Sequence, residues 1–140
     1  MLTNHVTSLE LSRRLKEAGV KQESCFEWRK YSLNKEPLLV QVPEDGIELA
    51  ILSGEIEWNA SAFLSSELGE MLPNEHSYPM IIQDTNVKKR RIKLGIQNKT
   101  TSGQPIGDWI HVTVANTEQD ARALLLLHLI EKGVIDVKTL

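Results

Sequence analysis

One cysteine, Cys25, stands in the whole 140-residue chain, so no disulfide can form within it, which fits a reducing cytoplasm. Apolar runs are short. The longest, Ala123 to Leu127, falls far below the length of a membrane span, so no membrane partner is expected. The N-terminus, Met-Leu-Thr-Asn-His, lacks the basic segment and apolar core of a signal peptide. Spacings that would announce chemistry are also missing. There is no HExxH, CxxC or Walker pattern, no zinc-finger or RNP signature, and no paired histidines, so no cofactor or metal is expected. A net charge of −3 gives no general attraction to nucleic acid or anionic lipid, and any such contact has to be local. Linkers rich in Gly or Ser, repeats and low-complexity tracts are absent, which points to one domain over 1–140.

What the chain has instead is a strongly marked helix near its end, from Ala115 to Gly133. Asn116 or Thr117 can cap it, Glu118 and Asp120 complement the dipole at its start, and Gly133 supplies the left-handed stop. Its apolar residues fill two neighbouring faces, Ala121, Leu124, Leu125 and Leu129 on one, Ala123, Leu126, Leu127 and Ile130 on the other. A helix apolar over most of its circumference has to be buried on more than one side. Shorter helices look unable to cover the second face, so Ala123, Leu126, Leu127 and Ile130 are expected to form the interface of a homo-oligomer, most simply a two-fold dimer.

Earlier in the chain, Thr7 to Ala18 reads as a helix with Thr7 and Glu10 spaced as a capping box, and Asn59 to Leu72 as another, weakened by Gly69 and closed by Pro73. Its buried positions are Leu64, Leu68, Met71 and Leu72. Strands are expected at Ser24–Tyr31, Leu38–Val42, Ile47–Leu52, Glu55–Trp58, Tyr78–Gln83, Val87–Ile96 and Trp109–Val114, with turns at 43–46 and 84–86 and a loop from Asn98 to Gly107. Residues 134–140 read as a short edge strand or a frayed tail. The fold class is α+β, an antiparallel sheet with about three helices and the long C-terminal helix packed on it. Alternation places Phe26 and Trp28, then Ile110, Val112 and Val114, on core-facing sides, with Glu27 and Arg29 outward. The expected main core is Leu124, Leu125, Leu129, Phe26, Trp28, Ile110 and Val112.

Candidate functional residues are few. Lys88-Lys-Arg-Arg91 with Lys93 puts Lys89, Arg91 and Lys93 on one face of a strand, where they can grip phosphates. The plainer reading is a charged edge that discourages strand pairing. Cys25 with one of His5, His76, His111 or His128 can make a nucleophile–base pair, although a lone cysteine so placed reads more simply as a small buried hydrophobe. His128 reads as a helix residue with a satisfied ring. Glu67 and Glu70 read as a solvated helix flank before a carboxylate pair, and Trp28, Trp58 and Trp109 as core-edge packing or a binding surface.

Three segments carry a resemblance. They are Ser8-Leu-Glu-Leu-Ser12 through Leu15-Lys16 and Gly19-Val-Lys-Gln-Glu-Ser24 with Phe26 and Trp28, then Glu67-Leu-Gly-Glu-Met-Leu-Pro73, and Asn116-Thr-Glu118 with Asp120-Ala-Arg-Ala123 and Leu129-Ile-Glu131. Together they span somewhat under half of the chain and resemble a group of small bacteriophage- and prophage-encoded proteins. That resemblance implies origin more than activity, and a host cytoplasm as the setting. With no catalytic constellation, the expected function is an accessory binding protein that captures a host protein or a small anionic ligand, possible ends being altered host physiology or defence. The alternative is a nucleic-acid-binding regulator using the basic strand 88–93.

Overall fold

The computed structural model describes residues 2–42, 47–72, 77–84, 91–99, 102 and 105–140, with backbone alone at 47–49, 77–84, 91, 97–99 and 105–110. Four helices and two antiparallel sheets result: α1 (Leu9–Glu17), β1 (Phe26–Tyr31), β2 (Leu38–Gln41), α2 (Ile47–Leu52), β3 (Ile56–Ser61), α3 (Ser65–Met71), β4 (Ser77–Asp84), β5 (Arg91–Lys99), β6 (Pro105–Ala115) and α4 (Glu118–Glu131). The strand orders are β2-β1-β3 and β4-β5-β6. The class is α+β, with the sheet expected as one divided into two.

Helix α4 lies between these parts. Ala121, Ala123, Leu125, Leu126 and Leu129 have no exposure, and Leu127 keeps only 9%. α4 packs on β5 and β6, on α3 and on α1, while α1 also reaches β3 and so joins the two sheets. The second apolar face of α4 is therefore consumed inside the chain. Ala123, Leu126 and Leu127 are core and are not free to form the expected subunit interface, while Ile130 is half-buried and packs against the core. The short helices do cover this face. Phe63, Leu68 and Leu72 add the bulk that α3 alone looked too weak to supply.

Hydrogen bonding moved several boundaries. The cap of α1 is Ser8, whose hydroxyl accepts from Leu11 N–H at 3.4 Å. Thr7 is drawn into the core instead, where its Oγ1 accepts from Phe63 N–H at 3.0 Å and lies 2.7 Å from Ser12 Oγ. Its carbonyl accepts the Trp28 indole N–H at 3.0 Å. Residues 59–61, expected in a helix, belong to β3, because extended pairing continues through Thr7–Phe63 and the Val6–Leu64 bridge. Glu67 is no solvated flank. Its Oε1 accepts from Leu64 N–H and from Ser24 Oγ, both at 2.8 Å, and closes the start of α3.

Ile47–Leu52 is helix α2, not a strand. β2 and β3 both run antiparallel to β1 and hence parallel to each other, and a tight turn cannot make that connection. The expected loop from 98 narrows, since β5 runs to Lys99 and β6 starts at Pro105. The chain ends in a 3-10 turn, Val137–Thr139, with Ile135, Val137 and Leu140 packed against the core. Turn 43–46, residues 85 and 86, and His76 lie outside the described residues.

Two strands face the opposite way from their apolar alternation. On β1, Glu27 and Arg29 are the buried pair, at 6% and 7% exposure, while Phe26 and Trp28 are only half-buried. Arg29 Nε donates to Glu27 Oε1, Arg29 Nη1 donates to Tyr31 Oη at 3.2 Å, and Asn59 Nδ2 donates to Glu27 Oε2 at 3.3 Å. Two opposite charges two residues apart share a strand face, so they neutralise each other there and can be buried together. Trp28 stays at the edge, where its N–H has a partner.

On β6 a bulge changes the phase. Ile110 stands opposite Ile96 and Thr113 opposite Leu94, leaving His111 and Val112 against Gly95. His111 takes the left-handed conformation, φ 52°. Beyond the bulge Thr113 turns inward, donating to the Ala121 carbonyl at 3.0 Å, and Val112 and Val114 turn out, with 40% and 48% exposure. Val112 is thus not core.

Two stability outcomes follow. Leu125→Ala, at a site with no exposure, should cost about 2–5 kcal/mol in a denaturant titration. A cost below about half a kilocalorie would show the side chain to be outside the core. Glu27→Ala should cost about 3–5 kcal/mol by stranding Arg29, whereas Glu27→Leu with Arg29→Met should cost far less. Equal losses from the two variants would remove the ion pair from the account.

Candidate functional site

A cleft of about 520 Å³ opens where the first turns of α1 and α4 approach the end of β6. Its lining comes from three separate parts of the chain. α1 and its cap supply Ser8, Glu10, Leu11 and Arg14; β6 and the residue after it supply Val114, Ala115 and Asn116; α4 supplies Asp120 and Leu124. Consecutive residues of β6 alternate sides, so the presence of both Val114 and Ala115 means that the cleft looks onto the strand's edge. Glu10 and Arg14 are one helical turn apart and exposed, yet neither is held in an ion pair among the described residues.

Asp120 fastens the two helices. Its Oδ1 accepts from Ser8 N–H at 2.8 Å, and its own N–H is capped by Thr117 Oγ1 at 3.3 Å. Gln119 adds a second tie, donating to the Asn4 carbonyl at 2.5 Å. Burial pushes the Asp120 carboxyl above its ordinary 3.8, and the bonds from Ser8 and Thr117 only partly oppose this.

Chemically, the cleft offers guanidinium donors, carboxylate and amide groups, and an apolar surface from Leu11, Val114, Ala115 and Leu124. No histidine or cysteine lines it, and Ser8 Oγ is already engaged as the helix cap. This is equipment for holding a charged ligand with an apolar part.

The residues expected to act are placed elsewhere. Lys93 is exposed on β5, opposite Val114 in register; Arg91 is placed by backbone alone, opposite Asp84; Lys88, Lys89 and Arg90 lie outside the described residues. Cys25 is exposed and precedes β1, so the expectation of a small buried hydrophobe fails. His128 has a partner that spacing did not show. Its Nε2 lies 2.9 Å from His111 Nδ1, which links α4 to the bulge of β6. Trp58 stacks beneath the Arg13 guanidinium, 4.7 Å from its ring centre. Among the described residues no group of three or more His, Cys, Asp or Glu could hold a metal ion, and no helix is long and apolar enough to cross a membrane.

Sequence reasoning missed the cleft because its walls are about a hundred positions apart in the chain, as Ser8 and Asp120 illustrate. One signal was available. Glu10 and Arg14 stand at the i, i+4 spacing of α1, on the helix flank that borders the cleft. Comparison with known proteins adds no relative: no family, no curated protein and no solved structure matches the chain.

The raised Asp120 value sets a pH dependence. The folded chain binds this proton more tightly than the unfolded chain does. The carboxyl's contribution is therefore complete below pH 3.8 and is lost as pH rises through the raised value. Relative to Asp120→Asn, wild-type stability should decline across that window in urea titrations. A relative gain with rising pH would contradict the assignment.

Proposed function

We propose that this is a phage-type accessory binding protein, working in a host cytoplasm, that captures a host protein or a small charged ligand in the α1–β6–α4 cleft. The observation that carries the reading is the pair Glu10 and Arg14, free of ion pairs among the described residues, beside an apolar floor and a strand edge. Arg14 suits a carboxylate or phosphate, which a guanidinium grips through two parallel hydrogen bonds. Glu10 suits a donor on the same partner, and Leu11, Val114 and Leu124 suit its apolar part.

Native mass spectrometry of the protein recovered from an infected host would identify what co-purifies. Arg14→Gln should then weaken capture of that species at least about tenfold, the equivalent of about 1.4 kcal/mol. Unchanged capture would take the cleft out of the functional account.

A second reading, regulation through nucleic acid bound at Lys89, Arg91 and Lys93, draws support from the exposure of Lys93 on β5. It requires affinity that falls steeply with salt, because phosphate contacts release counterions.

A further inference from the structure

We propose that His111 and His128 form a two-histidine site for a divalent transition-metal ion of the zinc, nickel and copper class, which fastens α4 to the bulge of β6. His111 Nδ1 and His128 Nε2 face each other at 2.9 Å, with ring centres 5.0 Å apart and ring planes inclined by 58°. Two N–H groups or two lone pairs cannot share that line, so one ring donates a proton to the other. Imidazole nitrogen is also the commonest protein ligand for ions of this class.

The backbone singles out the same place. Among the described residues His111 alone, glycines aside, has a positive φ, at 52°. Glycine is the residue that a left-handed bulge position accepts most readily. A histidine held there breaks the alternation of β6, and the bulge re-aims its ring toward α4. From the other side, His128 is half-buried between Leu127 and Leu129, which are buried. His111 is half-buried too, so the pair sits at the rim of the core and not within it. Neither ring is held by a carboxylate or by any hydrogen-bond partner besides the other, among the described residues.

The spacing fits one ion. Bonds of about 2.0–2.1 Å to two imidazole nitrogens set those nitrogens about 2.9 Å apart at a right angle and about 3.3 Å apart at the tetrahedral angle. The 2.9 Å between the two rings therefore needs little adjustment beyond turning both lone pairs toward a common point. The ion takes the place of the shared proton, which passes to the other nitrogen of its own ring, so both rings bind as neutral imidazoles. Water completes the coordination. The two ligands stand 17 positions apart in the chain and meet only in the fold, so the ion binds the folded chain in preference and stabilises it. Neither histidine lines the cleft, and the site does not depend on what the cleft captures.

The test is a Zn²⁺ titration of the full chain, free of any tag and stripped with a chelator. Calorimetry should find one Zn²⁺ bound per chain, and the melting temperature should rise with Zn²⁺. Proton–nitrogen correlation spectra of the imidazoles should show His111 Nδ1 and His128 Nε2 shifted to metal-bound values. His111→Gln and His128→Gln should each weaken binding at least about tenfold and remove the rise in melting temperature. His5→Gln, at an exposed histidine, should change neither. Wild-type spectra in which Zn²⁺ leaves both nitrogens unmoved would overturn the proposal, whether or not the variants fold, and would leave the pair a hydrogen bond only. Undiminished Zn²⁺ binding by both single variants would overturn it as well.

Discussion

The burial of α4 on more than one side is the constraint from which the rest of the structure follows. Ala121, Leu125 and Leu129 on one face and Ala123 and Leu126 on the other have no exposure, and Leu127 keeps only 9%. No single sheet can enclose such a helix. Sheet β4-β5-β6 takes one side through Leu94 and Ile96, α3 and the residues before it take another through Phe63 and Leu68, and α1 takes a third through Leu11 and Leu15. The polar ties sit where these parts meet. Ser8 to Asp120, Gln119 to Asn4 and His128 to His111 each join α4 to a different segment. Since a buried polar group left unpaired costs about 1–3 kcal/mol, such ties fix one arrangement among those the leucines alone would allow.

The cleft is a by-product of that packing. Two helices start beside one strand end, and each start brings free N–H groups that need acceptors. Asp120 answers for both by accepting from Ser8 and sitting in the first turn of α4. What remains without an ion pair among the described residues is on the outer wall, where Glu10 and Arg14 are exposed. Binding of a charged partner is consistent with the exposed pair, while the apolar floor of the cleft is shared with the core through Leu11 and Leu124.

Helices were legible in the sequence where caps and apolar spacing agreed. α4 lies within one to three residues of its expected ends, and α1 starts two residues late because Thr7 is needed at Phe63 N–H. Strands β1 and β6 were found, but their facing was not. Alternation treats Glu27 and Arg29 as outward because it counts charges one at a time, while the fold buries them as a pair. It treats Ile110, Val112 and Val114 as one face because it cannot see the extra residue at His111. α2 was missed because its six residues read equally as strand or helix, and only the parallel relation of β2 and β3 decides between them. The cleft was not legible, since it depends on contacts between the two ends of the chain.

Native-state hydrogen exchange across α4 tests this account most directly. If both apolar faces of the helix are covered within one chain, the amides of Ala123 to Leu129 should exchange only through global unfolding. Their protection should match the denaturant-derived stability measured at the same protein concentration. Faster exchange there than in β1 would contradict the account, because it would mean that the helix opens before the rest of the fold unfolds.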